Sequence, residues 1–132
     1  MSRVLALDYG SARCGVAVSD PTGILATPLE PVTRANTRKG IDRLATIVRE
    51  TGAGRVVVGL PLSLSGGDSS QTAETREFAA RLERRLGAAV PVELYDERFT
   101  TRIAQRSGGA RASEDSRAAA VLLEDWLAAH GA

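Results

Sequence analysis

Three acids in this sequence stand where chemistry is possible. Asp8 closes the apolar run 4–7, Glu97 lies just past the run that ends at Tyr95, and Asp115 falls in the first turn of a helical pattern. Each belongs to a different element with its own apolar face, so core packing would set the distances between them. A charge at the end of a buried strand is unusual unless it is paired or holds a cation. Carboxylates gathered at one edge repel one another, and a bound cation relieves the repulsion. With oxygen donors only, and no cluster of His or Cys, the fitting ion is a hard one, Mg²⁺ or Mn²⁺. Such a site suits phosphodiester hydrolysis, because the ion polarises the phosphate, lowers the pKa of a bound water and stabilises the leaving oxygen. Each acid taken alone also has a plainer reading. Asp8 can hold its own turn beside Gly10, and Asp115 can complement a helix dipole.

The elements that must position these acids follow from the apolar patterning. Residues 1–20, MSRVLALDYGSARCGVAVSD, contain two apolar runs, 4–7 and 15–18, joined by YGSARC. They predict two antiparallel strands with a tight connection, the first in the middle of a sheet. Residues 24–32, ILATPLEPV, read as a third strand that Pro28 and Pro31 confine to an edge or break. Asn36 or Thr37 can cap a helix to about Arg49, with Ile41, Leu44, Ala45 and Val48 on its apolar face and Gly52 and Gly54 ending it. Arg34, Arg38, Lys39 and Arg43 near its start read as a solvated face, since cations are disfavoured at that end of the dipole.

The continuous run RVVVGL at 55–60 predicts a central parallel strand covered on both sides. A Ser/Gly-rich loop follows it, at the edge where open sheets place their sites. Beyond it the pattern predicts a helix over 70–86 with Phe78, Ala79, Leu82 and Leu86 inward, a strand over 91–95, and a short helix over 100–106. Ser113 can cap a last helix to about Ala129, with Asp115 sharing the face of Ala118, Ala119, Leu122 and Trp126. This order implies an α/β fold, a sheet of mixed direction with helices packed on it.

A chain of 132 residues fits one domain, 1–132, and is too short for two lobes around a cleft. Hydrophobic residues at 43% and charged ones at 25% describe a soluble globular protein. Aromatics at 4% leave few platforms for stacking bases. The net charge of +1 does not announce a nucleic-acid binder, but Arg98, Arg102, Arg106, Arg111 and Arg117 face only Glu114 and Asp115 in their stretch. That segment can track a phosphate backbone or stand as a solvated loop. The single Cys14 cannot form an internal disulfide, as expected in the cytoplasm, and reads as a small buried hydrophobe. His130, near the end, reads as exposed tail, and neither a membrane span nor a signal-peptide pattern is present.

The runs LALDYGSARCGVAVSD, VVVGLPLSLSG, YDERFTT and DSRAAAVLLEDWL resemble, in order and spacing, the YqgF or RuvX family of ribonuclease H-like proteins. The likeness covers almost the whole chain. It implies a ribonuclease H-like mixed sheet of about five strands flanked by helices. It also implies an endonuclease that either matures the 5′ end of pre-16S ribosomal RNA or resolves Holliday junctions. By the resemblance, Asp8, Glu97 and Asp115 are the catalytic, metal-binding acids, and Arg13, Gly59, Pro61, Arg98, Thr100 and Thr101 line the same edge. Arg13, Arg98, Thr100 and Thr101 would then meet substrate phosphate. Mg²⁺ or Mn²⁺ is the implied cofactor, structured RNA or branched DNA the implied partner. The chain departs from the family pattern in the compact segment 105–114 and in Glu114, where an aliphatic residue is usual.

Two other classes fit parts of the sequence. The first hairpin also resembles the phosphate loop of actin-like and sugar kinase domains, but those hold a nucleotide between two such domains, and nothing in that scheme requires Glu97 or Asp115 to be acidic. A non-catalytic RNA-binding protein of ribosome assembly would instead use the 98–117 arginines for affinity. Small residues on several sides of the last helix allow a monomer or a weak homodimer.

Overall fold

In the computed structural model, which describes residues 3–60, 70–96 and 114–130, five strands form one sheet in the order β3-β2-β1-β4-β5. These are β1 (Arg3–Asp8), β2 (Arg13–Ser19), β3 (Ala26–Thr33), β4 (Ala53–Leu60) and β5 (Val92–Asp96). β1 pairs antiparallel with β2 and parallel with β4; β2–β3 is antiparallel and β4–β5 parallel. The mixed five-stranded α/β sheet is the expected one, with the first strand at its centre. The Ser/Gly loop, the helix expected over 100–106, Ser113, and Pro61, Glu97, Arg98, Thr100 and Thr101 lie outside the described residues.

Strand alternation divides the core into two layers. Leu5, Leu7, Tyr9, Cys14, Val16, Val56 and Val58 pack with Ile41 and Leu44 of α1 (Arg38–Thr51) and with Phe78 and Leu82 of α2 (Ser70–Leu86). Ala6, Ala17 and Val57 point the other way, onto Ala119, Leu122, Leu123 and Trp126 of α3 (Glu114–His130). Large aliphatic side chains thus fill one layer, each contributing about 1.5–3 kcal/mol when fully buried. Small ones in the other let α3 approach the strands closely. Asp8, two residues past Ala6, falls on the α3 face.

Several local expectations hold. Thr37 is the N-cap of α1, its hydroxyl accepting from Gly40 N–H at 3.1 Å. β3 is an edge strand, where Pro28 and Pro31 cost least. Cys14 is wholly buried.

Three expectations need correction. The third strand begins at Ala26, not Ile24, because the Asp20 carboxylate gathers the turn: Oδ1 accepts from the N–H groups of Ile24 (2.9 Å) and Leu25 (2.8 Å). The Asp20 carboxyl is held well below its usual range, chiefly by the Thr22 hydroxyl and then by the Leu25 N–H. Ile24 and Leu25 are left 72% and 63% exposed. The last helix buries more than one narrow face, with Ser116, Val121, Leu123 and Leu127 also covered, because it packs across β1, β2 and β3. His130, although exposed, is not free tail: its ring stacks on Trp126 with centroids 4.3 Å apart. Among the described residues, no helix is long and apolar enough to cross a membrane.

Candidate metal centre

The site is built on a glycine. Asp8, the last residue of β1, pairs with Gly15 of β2. The start of α3 rests directly on Gly15: a Cβ there would lie 1.9 Å from the Asp115 carbonyl oxygen and 2.9 Å from Ser116 N. Real side chains do not approach so closely, so the absence of a side chain at this position is what brings Asp115 beside the end of β1. A second contact fixes the helix. The β2–β3 pairing is irregular between Cys14 and Val16, and a bulge leaves a ladder group without its strand partner. Val16 N–H, at that point, donates to Ser116 Oγ at 3.2 Å in a buried hydrogen bond.

Burial, and after it the negative charges of Asp8 and Asp115, push the Cys14 thiol well above its usual range. Cys14 itself faces the opposite layer and stays a neutral thiol beneath the site. Tyr9 also turns away from the edge. Its ring stacks on Phe78 at 4.5 Å and its hydroxyl donates to Glu74, tying the residue after Asp8 to α2. Burial and that carboxylate push the Tyr9 hydroxyl up as well.

Arg13 and Asp115 meet each other: Arg13 Nε donates to Asp115 Oδ2 at 3.2 Å, with side chains 65% and 37% exposed. An ion pair so open to water is worth about 0–1 kcal/mol, so the guanidinium can leave it for another anion at little cost. The third predicted acid, Glu97, lies outside the described residues. The strand leading to it is placed: Asp96 pairs with Leu60 while Leu7 pairs with Val58, so β1, β4 and β5 all end at one edge. β5 is two strands from β1, about 10 Å across the sheet.

The residues present fit a hard divalent cation. Asp8 is half-buried and Asp115 half-open, and their carboxylate oxygens are the hard donors such a cation takes. Among the described residues, no group of three His, Cys, Asp or Glu is gathered to hold a metal ion. Sequence reasoning passed over Gly15 and Ser116 as parts of the site. Glycine inside a strand pattern is a signal for close backbone approach, whereas nothing in the sequence marks Ser116.

Known proteins resemble this chain along nearly its whole length. A curated protein of Mycolicibacterium paratuberculosis named "Putative pre-16S rRNA nuclease" is 46% identical over 133 aligned positions, spanning 95% of this chain and 79% of its own. One of the same name from Koribacter versatilis is 49% identical over 104, spanning 79% of this chain and 67% of its own. Among solved structures, Thermus thermophilus RuvC in complex with a Holliday junction substrate superposes with a TM-score of 0.65 at 19% identity, covering 99% of this chain and 97% of that one. Unbound RuvC from the same organism gives 0.57 at 17%, covering 98% and 96%. These superpositions identify the fold as the ribonuclease H-like one of RuvC. The model of the family described as "RuvX: Holliday junction resolvase" matches residues 2–129, and the chain belongs to that family.

Proposed function

We propose that the protein is a metal-dependent endonuclease that cleaves phosphodiester bonds in the 5′-end maturation of pre-16S ribosomal RNA, with Asp8, Glu97 and Asp115 as its metal-binding acids. One observation carries the reading: Asp115 is seated on Gly15, the strand partner of Asp8, so two acids 107 positions apart in sequence converge at one sheet edge. The substrate assignment draws on relatives named for pre-16S rRNA that are 46% and 49% identical.

The three carboxylates would hold Mg²⁺ or Mn²⁺, which supplies Lewis-acid polarisation of the phosphate and a bound water of lowered pKa. Asp8 is fixed by the sheet and Asp115 by the Ser116–Val16 hydrogen bond, so both are pre-set before substrate arrives. Arg13 neutralises Asp115 in the free protein and turns to the substrate phosphate when it binds, exchanging one charge-assisted hydrogen bond for another. Arg98, Thr100 and Thr101 would extend the phosphate contacts. Cys14, held neutral, adds no competing soft ligand.

The test is cleavage of a precursor 16S rRNA fragment and of a four-way DNA junction, with and without divalent metal, by the wild type and Asp8→Asn. Metal-dependent RNA cleavage lost in Asp8→Asn supports the reading. Junction cleavage alone reassigns the substrate to branched DNA, and activity that survives both chelator and substitution overturns the site.

A further inference from the structure

Four basic residues cluster around the start of α1. Arg34, Arg38, Lys39 and Arg43 are all exposed, and among the described residues none has an ion-pair partner. The first turn of α1 contains no acid, so its cations sit against the helix dipole uncompensated. They also lie where grooves adjoin. One groove, between β3 and α1, is lined by Lys39 and Arg43 with Glu30; a second, over the helix start, by Arg34, Arg38 and Lys39. A third, between α1 and α2, is lined by Arg38, Arg81, Arg84 and Arg85 with Asp42, which pairs with Arg85 at 3.3 Å, while Arg81 donates to Asn36.

This surface is joined to the candidate metal centre. Thr33 at the end of β3 pairs with Arg13, and Arg34 N–H donates to Ala12 O at 3.0 Å. The Arg34 turn is in turn bound to α1. Thr37 Oγ1 donates to Arg34 O at 2.7 Å, and a Cβ at Gly40 would fall 2.4 Å from that same oxygen. Cations therefore run from Arg13, at Asp115, through Arg34 and onto α1, where Arg38 to Arg43 advances about 7.5 Å along the helix.

We infer that this strip is the second part of a bipartite substrate interface, binding the phosphate backbone of the RNA strand that flanks the cleaved bond. The inference rests on the nuclease reading for the identity of the strand. Among the described residues, Arg34, Arg38, Lys39 and Arg43 offer positive charge without an ion-pair partner and without an aromatic platform, which suits sequence-independent backbone contact rather than base readout.

The experiment is equilibrium binding in chelator, so that no cleavage occurs and a protein that fails to cut still gives an answer. Two probes are used: a precursor 16S rRNA 5′-end fragment with its flank, and the same RNA trimmed close to the mature end. For the triple variant Arg38→Gln, Lys39→Gln, Arg43→Gln, affinity for the longer RNA falls about tenfold or more and the slope of log K against log salt shrinks by roughly 2. Affinity for the trimmed RNA stays at the wild-type value. The thermal midpoint does not fall, because the variant relieves charge that the helix dipole disfavours. Wild-type affinity and slope on the longer RNA, or equal weakening on both RNAs, overturns the inference. Failure of the nuclease reading shows separately, as absence of metal-dependent cleavage by the wild type.

Discussion

Adding a single methyl group at Gly15 displaces the candidate centre without touching any of its carboxylates. In Gly15→Ala the new Cβ would lie 1.9 Å from Asp115 O and 2.3 Å from Asp115 C, both backbone atoms that no side-chain rotation can move. The start of α3 must therefore retreat by about 1.5 Å to reach ordinary contact, an overpacking that costs about 1–3 kcal/mol. Retreat stretches the 3.2 Å hydrogen bond from Val16 N–H to Ser116 Oγ, whose loss adds about 1 kcal/mol. Asp115 moves with the helix while Asp8 stays in the sheet. A misplacement near 1 Å at a reacting centre lowers turnover about 100-fold. Urea denaturation measures the stability loss, and turnover on the precursor RNA, under conditions where the variant is fully folded, measures the catalytic one. Gly15→Ala with wild-type stability and turnover would refute the seating of α3 on β2 as the device that assembles the site.

Other substitutions separate structural from catalytic roles. Arg13→Gln should change stability by less than about 1 kcal/mol, because its pair with Asp115 is open to solvent. It should lower kcat/KM about 10–100-fold through loss of a charged hydrogen bond to phosphate; a large stability loss with unchanged cleavage would contradict this. Tyr9→Phe keeps the stack on Phe78 and removes the hydroxyl bond to the Glu74 carboxylate, costing about 1.5–3 kcal/mol in denaturation experiments. The Cys14 thiol is raised by burial and by Asp8 and Asp115, so its contribution to stability is full below its ordinary value of 9.0 and is lost as pH rises through the folded value. Stability of the wild type should therefore decline above about pH 9 more steeply than that of Cys14→Ala, and native Cys14 should resist thiol reagents until the protein unfolds.

What could be read from the chain alone was whatever local pattern determines. The run at 4–7 and the continuous RVVVGL announce buried strands because their apolar residues have few other solutions, and Thr37 marks a helix start by its own chemistry. The end of β1 at Asp8 was legible for the same reason. The meeting of Arg13 with Asp115 was not, since the residues are 102 positions apart and only the crossing of α3 over β2 joins them. The turn of Asp20 also hid. Ile24 and Leu25 look like strand residues by hydrophobicity, yet a carboxylate takes their N–H groups before the ladder can. The basic start of α1 illustrates a third case. Its composition alone suits a solvated face, and only the pairing of Thr33 with Arg13 connects it to the edge where β1 ends.

The most direct test of the account is Mn²⁺ binding, followed by calorimetry and by the electron paramagnetic resonance of the free ion, for the wild type, Asp8→Asn and Asp115→Asn. The account predicts that the wild type binds Mn²⁺ and that each substitution weakens binding about tenfold or more while the protein stays folded. Mn²⁺ binding of wild-type strength in both variants would contradict it.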